Sequence, residues 1–186
     1  MTTNLWQTAE KTISAGKIAV LPTDTIYGLV ASAQKPEAIN KINNLKNRTG
    51  DKPYIILIHS LSDLDIFNIK LTDLQTKILN KLWPGPFSVA FDNKFSFRWP
   101  QKKELIDLIE KTGPIIATSC NHRDKPPATT IKEARDYFGA EVDLYIPSPI
   151  EPLAATPSTV IGLSKEGQIK IYRQGVGELP ADLKKY

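Results

Sequence analysis

Three cations, Lys46, Arg48 and Lys52, fall within the short stretch Leu45-Lys46-Asn47-Arg48-Thr49-Gly50-Asp51-Lys52-Pro53. Arginine offers a planar fork of donors and lysine a compact point charge, so this spacing suits a polyphosphate. The bland alternative is a solvated helix end, where cations complement the negative end of the helix dipole. Polar clusters stand beside apolar runs elsewhere: Thr23-Asp24-Thr25, Ser119-Cys120-Asn121-His122 and Thr156-Pro157-Ser158-Thr159. Taken singly, each is an ordinary turn or helix cap. Arg98 and Arg173 each close a run that reads as a strand. Ligands in open α/β sheets gather at strand ends, so these features together point to one anion-binding cleft rather than several accidents.

Other chemistries find less support. The chain has no G-x-x-x-x-G-K-[ST] loop and no G-x-G-x-x-G turn. His59 and His122 lie far apart without a partner at metal-ligand spacing, so no protein-ligated metal is expected. Cys120 is the single cysteine, which excludes an internal disulfide, and no base is evident beside it. It reads as a small residue at a strand end.

The elements that must hold these residues follow from periodicity. Helices are predicted over 4–15, 36–46, 72–82, 102–111 and 130–139, the second opening on Pro36 in its first turn. Buried strands are predicted at 18–21, 54–59 and 114–118, with further strands at 87–91, 95–98, 142–146, 158–163 and 168–173. Asp92-Asn93 and Ser164–Gly167 read as hairpin links, and Trp83-Pro84-Gly85-Pro86 as a helix stop. Helices alternating with strands and hairpins define an α/β chain with a mixed sheet.

With 186 residues the chain fits one domain, 1–186, and buries enough surface to need no staple. Its net charge of +4 suits an anionic ligand without demanding one. The polar N-terminus has no signal-peptide run, and apolar runs such as Ile55–Ile58 are too short to span a membrane. A soluble cytoplasmic protein is expected.

Six segments carry a resemblance to a known family: Pro22–Leu29, Leu45–Pro53 with its K-x-R, Trp83–Ser88, Thr118–Asn121 with its S-x-N, Pro157–Leu163 and Tyr172–Gly175. In order and spacing they resemble the YrdC-like domain of the threonylcarbamoyl-AMP synthases, over nearly the whole chain. The resemblance implies a YrdC/RibB-like fold, a twisted open mixed sheet flanked by helices. It implies that L-threonine, bicarbonate and ATP are joined to threonylcarbamoyl-AMP and pyrophosphate, with Mg2+ bridging the phosphates. A transferase complex would receive the product for tRNA modification beside the anticodon, with at most a weak tRNA contact by this chain.

Matched residue by residue, Lys46, Arg48, Ser119 and Asn121 take the catalytic positions. Arg48, Lys52, Ser119, Asn121, Ser158 and Arg173 take the ATP positions. Thr25 and Arg98 take the L-threonine positions, Arg98 as a fork for its carboxylate, with Tyr27 as a wall. Departures from the family pattern are Thr49 in place of a proline, Cys120 in place of an alanine, Asp24 where many relatives have Glu, and His122-Arg123-Asp124 in place of a Ser-Gly pair. Two rival readings are a paralogue lacking efficient synthase activity and a double-stranded RNA-binding module on the basic concave face. Aromatics mostly lie within predicted strands and helices rather than interleaved with cations, which argues against the RNA binder.

Overall fold

The computed structural model describes residues 2–47, 53–91 and 95–185. Its centre is one mixed sheet. The strands are β1 (Ala19–Pro22), β2 (Tyr27–Ser32), β3 (Ile55–Leu57), β4 (Phe87–Ala90), β5 (Ser96–Arg98), β6 (Ile115–Ser119), β7 (Leu144–Tyr145), β8 (Thr159–Leu163) and β9 (Ile169–Arg173). They lie in the order β7-β1-β2-β6-β3-β5-β4-β8-β9. Parallel pairs β1/β7, β3/β5 and β4/β8 interrupt an otherwise antiparallel ladder.

Alternation along the strands separates two apolar layers, because successive side chains leave opposite faces of a pleated sheet. On one face Val20, Leu29, Ile56, Phe97 and Ile116 pack with α2 (Pro36–Leu45), α3 (Asp73–Leu82) and α5 (Ile131–Phe138). On the other, Ala19, Leu21, Val30 and Ile115 pack under α1 (Thr2–Ser14) and α4 (Lys103–Thr112). The helices start as their sequences dictate. Pro36 opens α2, and Thr72 with Gln75 and Thr130 with Glu133 form capping boxes on α3 and α5.

The mixed α/β sheet and most elements agree with the sequence reading, with ends shifted by a residue or two. The expected strand over 142–146 shrinks to Leu144–Tyr145. β4 and β5 pair antiparallel as expected, while their Asp92-Asn93 link lies outside the described residues. Gly167, at φ +86°, turns β8 into β9.

β2 is the main correction. The sequence reading placed a strand at 18–21 with the polar cluster Thr23-Asp24-Thr25 beside it and no strand before Pro36, whereas four residues turn the chain and a second strand starts at Tyr27. Thr23 explains the reversal. Its hydroxyl accepts from the Thr25 and Ile26 N–H groups at 3.1 and 3.2 Å and donates to the Ile26 carbonyl at 2.6 Å. One side chain thereby takes up three backbone groups of the turn.

Candidate functional site

A cleft of about 360 Å³ opens on the sheet face that carries α1 and α4. That volume lies within the roughly 300–1,000 Å³ of ordinary ligand sites. Alternation again decides what reaches it. Ile55 and Leu57 of β3, Ala117 and Ser119 of β6, and Gly28 of β2 line the floor, while their sequence neighbours Ile56, Ile116 and Tyr27 face the opposite core. Three loops, at Thr23–Ile26, Pro127 and Pro157–Ser158, form the rim.

Arg98 is the most constrained charge in the cleft, at 3% exposure. Its Nε donates to the Gly85 carbonyl at 3.2 Å and one terminal nitrogen donates to the Thr25 hydroxyl at 3.1 Å. The other terminal nitrogen lies 2.6 Å from Asp24 Oδ1. Burial pulls the Arg98 pKa below the usual guanidinium value, and Asp24 opposes that shift. Across the cleft, Arg173 donates to the Ser158 carbonyl at 2.8 Å. Its own pKa is lowered by burial and by the positive charge of Arg98, so the two guanidiniums sense each other. Ser158 is buried and exchanges a 2.8 Å hydrogen bond with Ser88, a partner that sequence reasoning missed.

The opposite side is organised by Lys46, the C-cap residue of α2. Its ammonium donates to the Ser119 and Asn121 carbonyls at 2.7 and 2.5 Å and to Asn121 Oδ1 at 2.8 Å. The Ser119 hydroxyl donates to the same Oδ1 at 2.6 Å, and Asn121 Nδ2 donates to the Lys125 carbonyl at 2.5 Å. A lysine and an S-x-N element 73 residues apart are thus one unit. The loop beyond, where the sequence carries His122-Arg123-Asp124, returns through a hydrogen bond from Ala128 N–H to the Cys120 carbonyl at 2.8 Å. Asp124 takes a left-handed φ of +63° there.

Of the residues singled out from sequence, Thr25, Arg98, Ser119, Ser158 and Arg173 line the cleft. Lys46 and Asn121 stand behind Ser119, bonded to it or to its carbonyl. Arg48 and Lys52 lie outside the described residues, although Pro53, next in sequence, is on the cleft wall. Tyr27 does not fit its expected place as a wall. It is fully buried on the other face, where its hydroxyl donates to Glu151 and accepts from the Ser148 N–H at 2.6 Å. The cause is the unforeseen start of β2, which puts Gly28 rather than Tyr27 on the cleft side.

The cysteine and the two histidines, which lie outside this set, are inert or hydrogen-bonded elsewhere. Burial pushes the Cys120 thiol up to about 12, against a smaller opposing pull from Lys46, so it is no nucleophile at neutral pH. His59 is paired with Asp63 at 2.8 Å, and His122 meets the Tyr137 carbonyl at 2.7 Å. Among the described residues, no group of three or more potential ligands could hold a metal, and no acidic side chain lines the cleft.

The fold and site together define a class: a mixed-sheet protein whose open face carries a cationic, hydroxyl-rimmed groove. The family model for Sua5, YciO and YrdC, described as "Telomere recombination", matches residues 11–175, and the chain belongs to that family. A threonylcarbamoyl-AMP synthase of Cellvibrio japonicus is 30% identical over 142 residues, covering 69% of this chain and 75% of its own. The structure of Pyrococcus abyssi Sua5 complexed with L-threonine superposes with a TM-score of 0.81 at 27% identity over 91% of this chain. The chain spans about half of that longer protein, 54%. Escherichia coli YciO shares the fold, with a TM-score of 0.82 at 21% identity over 96% of this chain and 92% of its own. No helix among the described residues is long and apolar enough to cross a membrane.

Proposed function

We propose that this chain is a threonylcarbamoyl-AMP synthase, joining L-threonine, bicarbonate and ATP with release of pyrophosphate. The observation that carries the reading is the pairing, in one cleft, of a buried arginine backed by Thr25 with the Ser119–Asn121–Lys46 unit on the other side. Relatives that bear the synthase name match most of the chain and support it.

The chemistry needs no covalent nucleophile from the protein. The threonine amine attacks bicarbonate with loss of water, or its CO2 with loss of a proton, to form a carbamate, and a carbamate oxygen then attacks the α-phosphorus of ATP as pyrophosphate leaves. What the protein supplies is alignment and charge neutralisation. Arg98 holds the amino-acid carboxylate as a fork, with Thr25 beside it. Arg48 and Lys52 meet the phosphates, while Lys46 holds the Ser119–Asn121 segment towards the nucleotide. Ser119, Asn121, Ser158 and Arg173 hold the rest of the nucleotide. Mg2+ would ride on phosphate oxygens and spread their charge, since the described cleft lining offers it no carboxylate. The product then passes to a transferase complex for tRNA modification, with weak tRNA contact by this chain, in the cytoplasm. Residues 1–186 act as one unit in this scheme.

The test is pyrophosphate release from ATP by the purified chain. Release that requires both L-threonine and bicarbonate is expected. Release indifferent to threonine, or none at all, refutes the assignment.

A further inference from the structure

Asp24 is the carboxylate paired with the cleft's buried arginine, yet it is not among the cleft-lining residues. One oxygen, Oδ1, lies 2.6 Å from a terminal nitrogen of Arg98. The other, Oδ2, accepts the Gln101 backbone N–H at 3.1 Å, between β5 and α4. Asp24 therefore ties the β1–β2 turn to the segment that follows Arg98. It also supplies a counter-charge to a guanidinium that is almost wholly out of water.

The geometry points to Asp24 as the positioning residue that sets Arg98 for an anionic ligand group, an inference that rests on the reading of Arg98 as the L-threonine carboxylate fork. A guanidinium has five N–H donors in one plane, so fixing its Nε and both terminal nitrogens fixes the plane. Gly85 holds the Nε edge and Thr25 one terminal nitrogen through hydrogen bonds, while Asp24 Oδ1 sits 2.6 Å from the other as an ion pair, outside hydrogen-bond geometry. Neither Gly85 nor Thr25 brings charge. Without Asp24, Arg98 is an uncompensated buried cation that also faces Arg173, and repulsion and hydration both favour its leaving the aligned position. Asp24 and Arg98 together are neutral, so the pair leaves the local excess of positive charge to Arg173. The fork then contributes alignment more than bulk attraction.

The experiment compares Asp24→Asn and Asp24→Glu with the unaltered protein, using steady-state pyrophosphate release with L-threonine and ATP varied in turn. Asp24→Asn is nearly isosteric and keeps an acceptor for Gln101. It is expected to raise the KM for L-threonine at least tenfold while the KM for ATP changes less than about twofold. Asp24→Glu is expected to recover part of the loss. In an Arg98→Lys background, Asp24→Asn should add little, because Asp24 acts through the fork. Titration of L-threonine by calorimetry in the absence of ATP gives the same comparison where turnover is too low. An unchanged or lower threonine KM, an equal rise in both KM values, or full additivity with Arg98→Lys overturns the role. If the unaltered protein shows no threonine-dependent release, the synthase reading has failed instead.

Discussion

At the scale of single residues, the cleft is assembled from side chains that hold one another in place before any ligand arrives. Lys46 does this for the S-x-N segment, where its ammonium gathers two carbonyls and the Asn121 amide oxygen. Lys46→Ala should lower ATP turnover at least tenfold. Loss of a charge-assisted contact costs roughly 1.5–3 kcal/mol, and the Ser119–Asn121 loop loses its anchor as well. Turnover within twofold of the unaltered protein, in a folded variant, would remove Lys46 from the site. Thr25, Arg98, Ser119, Ser158 and Arg173 stood out in the sequence by type and place, whereas the apolar floor of Ile55, Leu57 and Ala117 did not. Tyr27 was misread, because its face depends on where β2 begins, and a single residue of register reverses every side chain. Asp24 stood in plain view as a polar turn residue, but its partner is 74 positions away and only the folded chain pairs them.

At the scale of elements, the link between α3 and β4 shows how backbone shape reaches the site. A Cβ on Gly85 would lie 2.3 Å from the Leu82 carbonyl oxygen, inside any real contact distance. Gly85 also donates its N–H to the Trp99 carbonyl at 2.8 Å and accepts from Arg98 Nε. Gly85→Ala should therefore cost about 1–3 kcal/mol, a fall in Tm of about 2–12 °C by thermal melting. It should also raise the threonine KM by displacing the Arg98 fork. An alanine variant with native Tm would mean that the turn relaxes freely. The Trp83–Pro86 stop was legible, as were the helices, since apolar spacing is a local signal, while the capping boxes at Thr72 and Thr130 were passed over. The 3-10 turn at Leu61–Phe67 was not foreseen, because so short a run of mixed residues carries no period of its own.

At the scale of the whole molecule, the apolar layer beneath α2, α3 and α5 buries groups whose ionisation the fold opposes. Cys120 is pushed up to about 12 by burial, and Tyr145 likewise up to about 12. The Tyr27 phenol is raised still further by burial and by its bond to Glu151. Each folded pKa lies above its unfolded value, so their stabilisation is complete below the unfolded pKa values. It is lost as pH rises through the folded ones. Chemical-denaturation midpoints should hold steady to about pH 9 and fall progressively towards pH 12, and a flat profile over that range would contradict the burial. At neutral pH Cys120 should resist alkylation until the chain is unfolded. Sequence alone determined the mixed α/β architecture, the helices, and the types of side chain that a polyanion requires, because these are written in local period and composition; the amino-acid positions came from the family resemblance. The tertiary structure alone decided which face of the sheet stays open, that Lys46 is joined to Ser119 and Asn121, and that Arg98 is held by Asp24. Those pairings depend on strand register and on contacts between distant segments, and neither has a local signature.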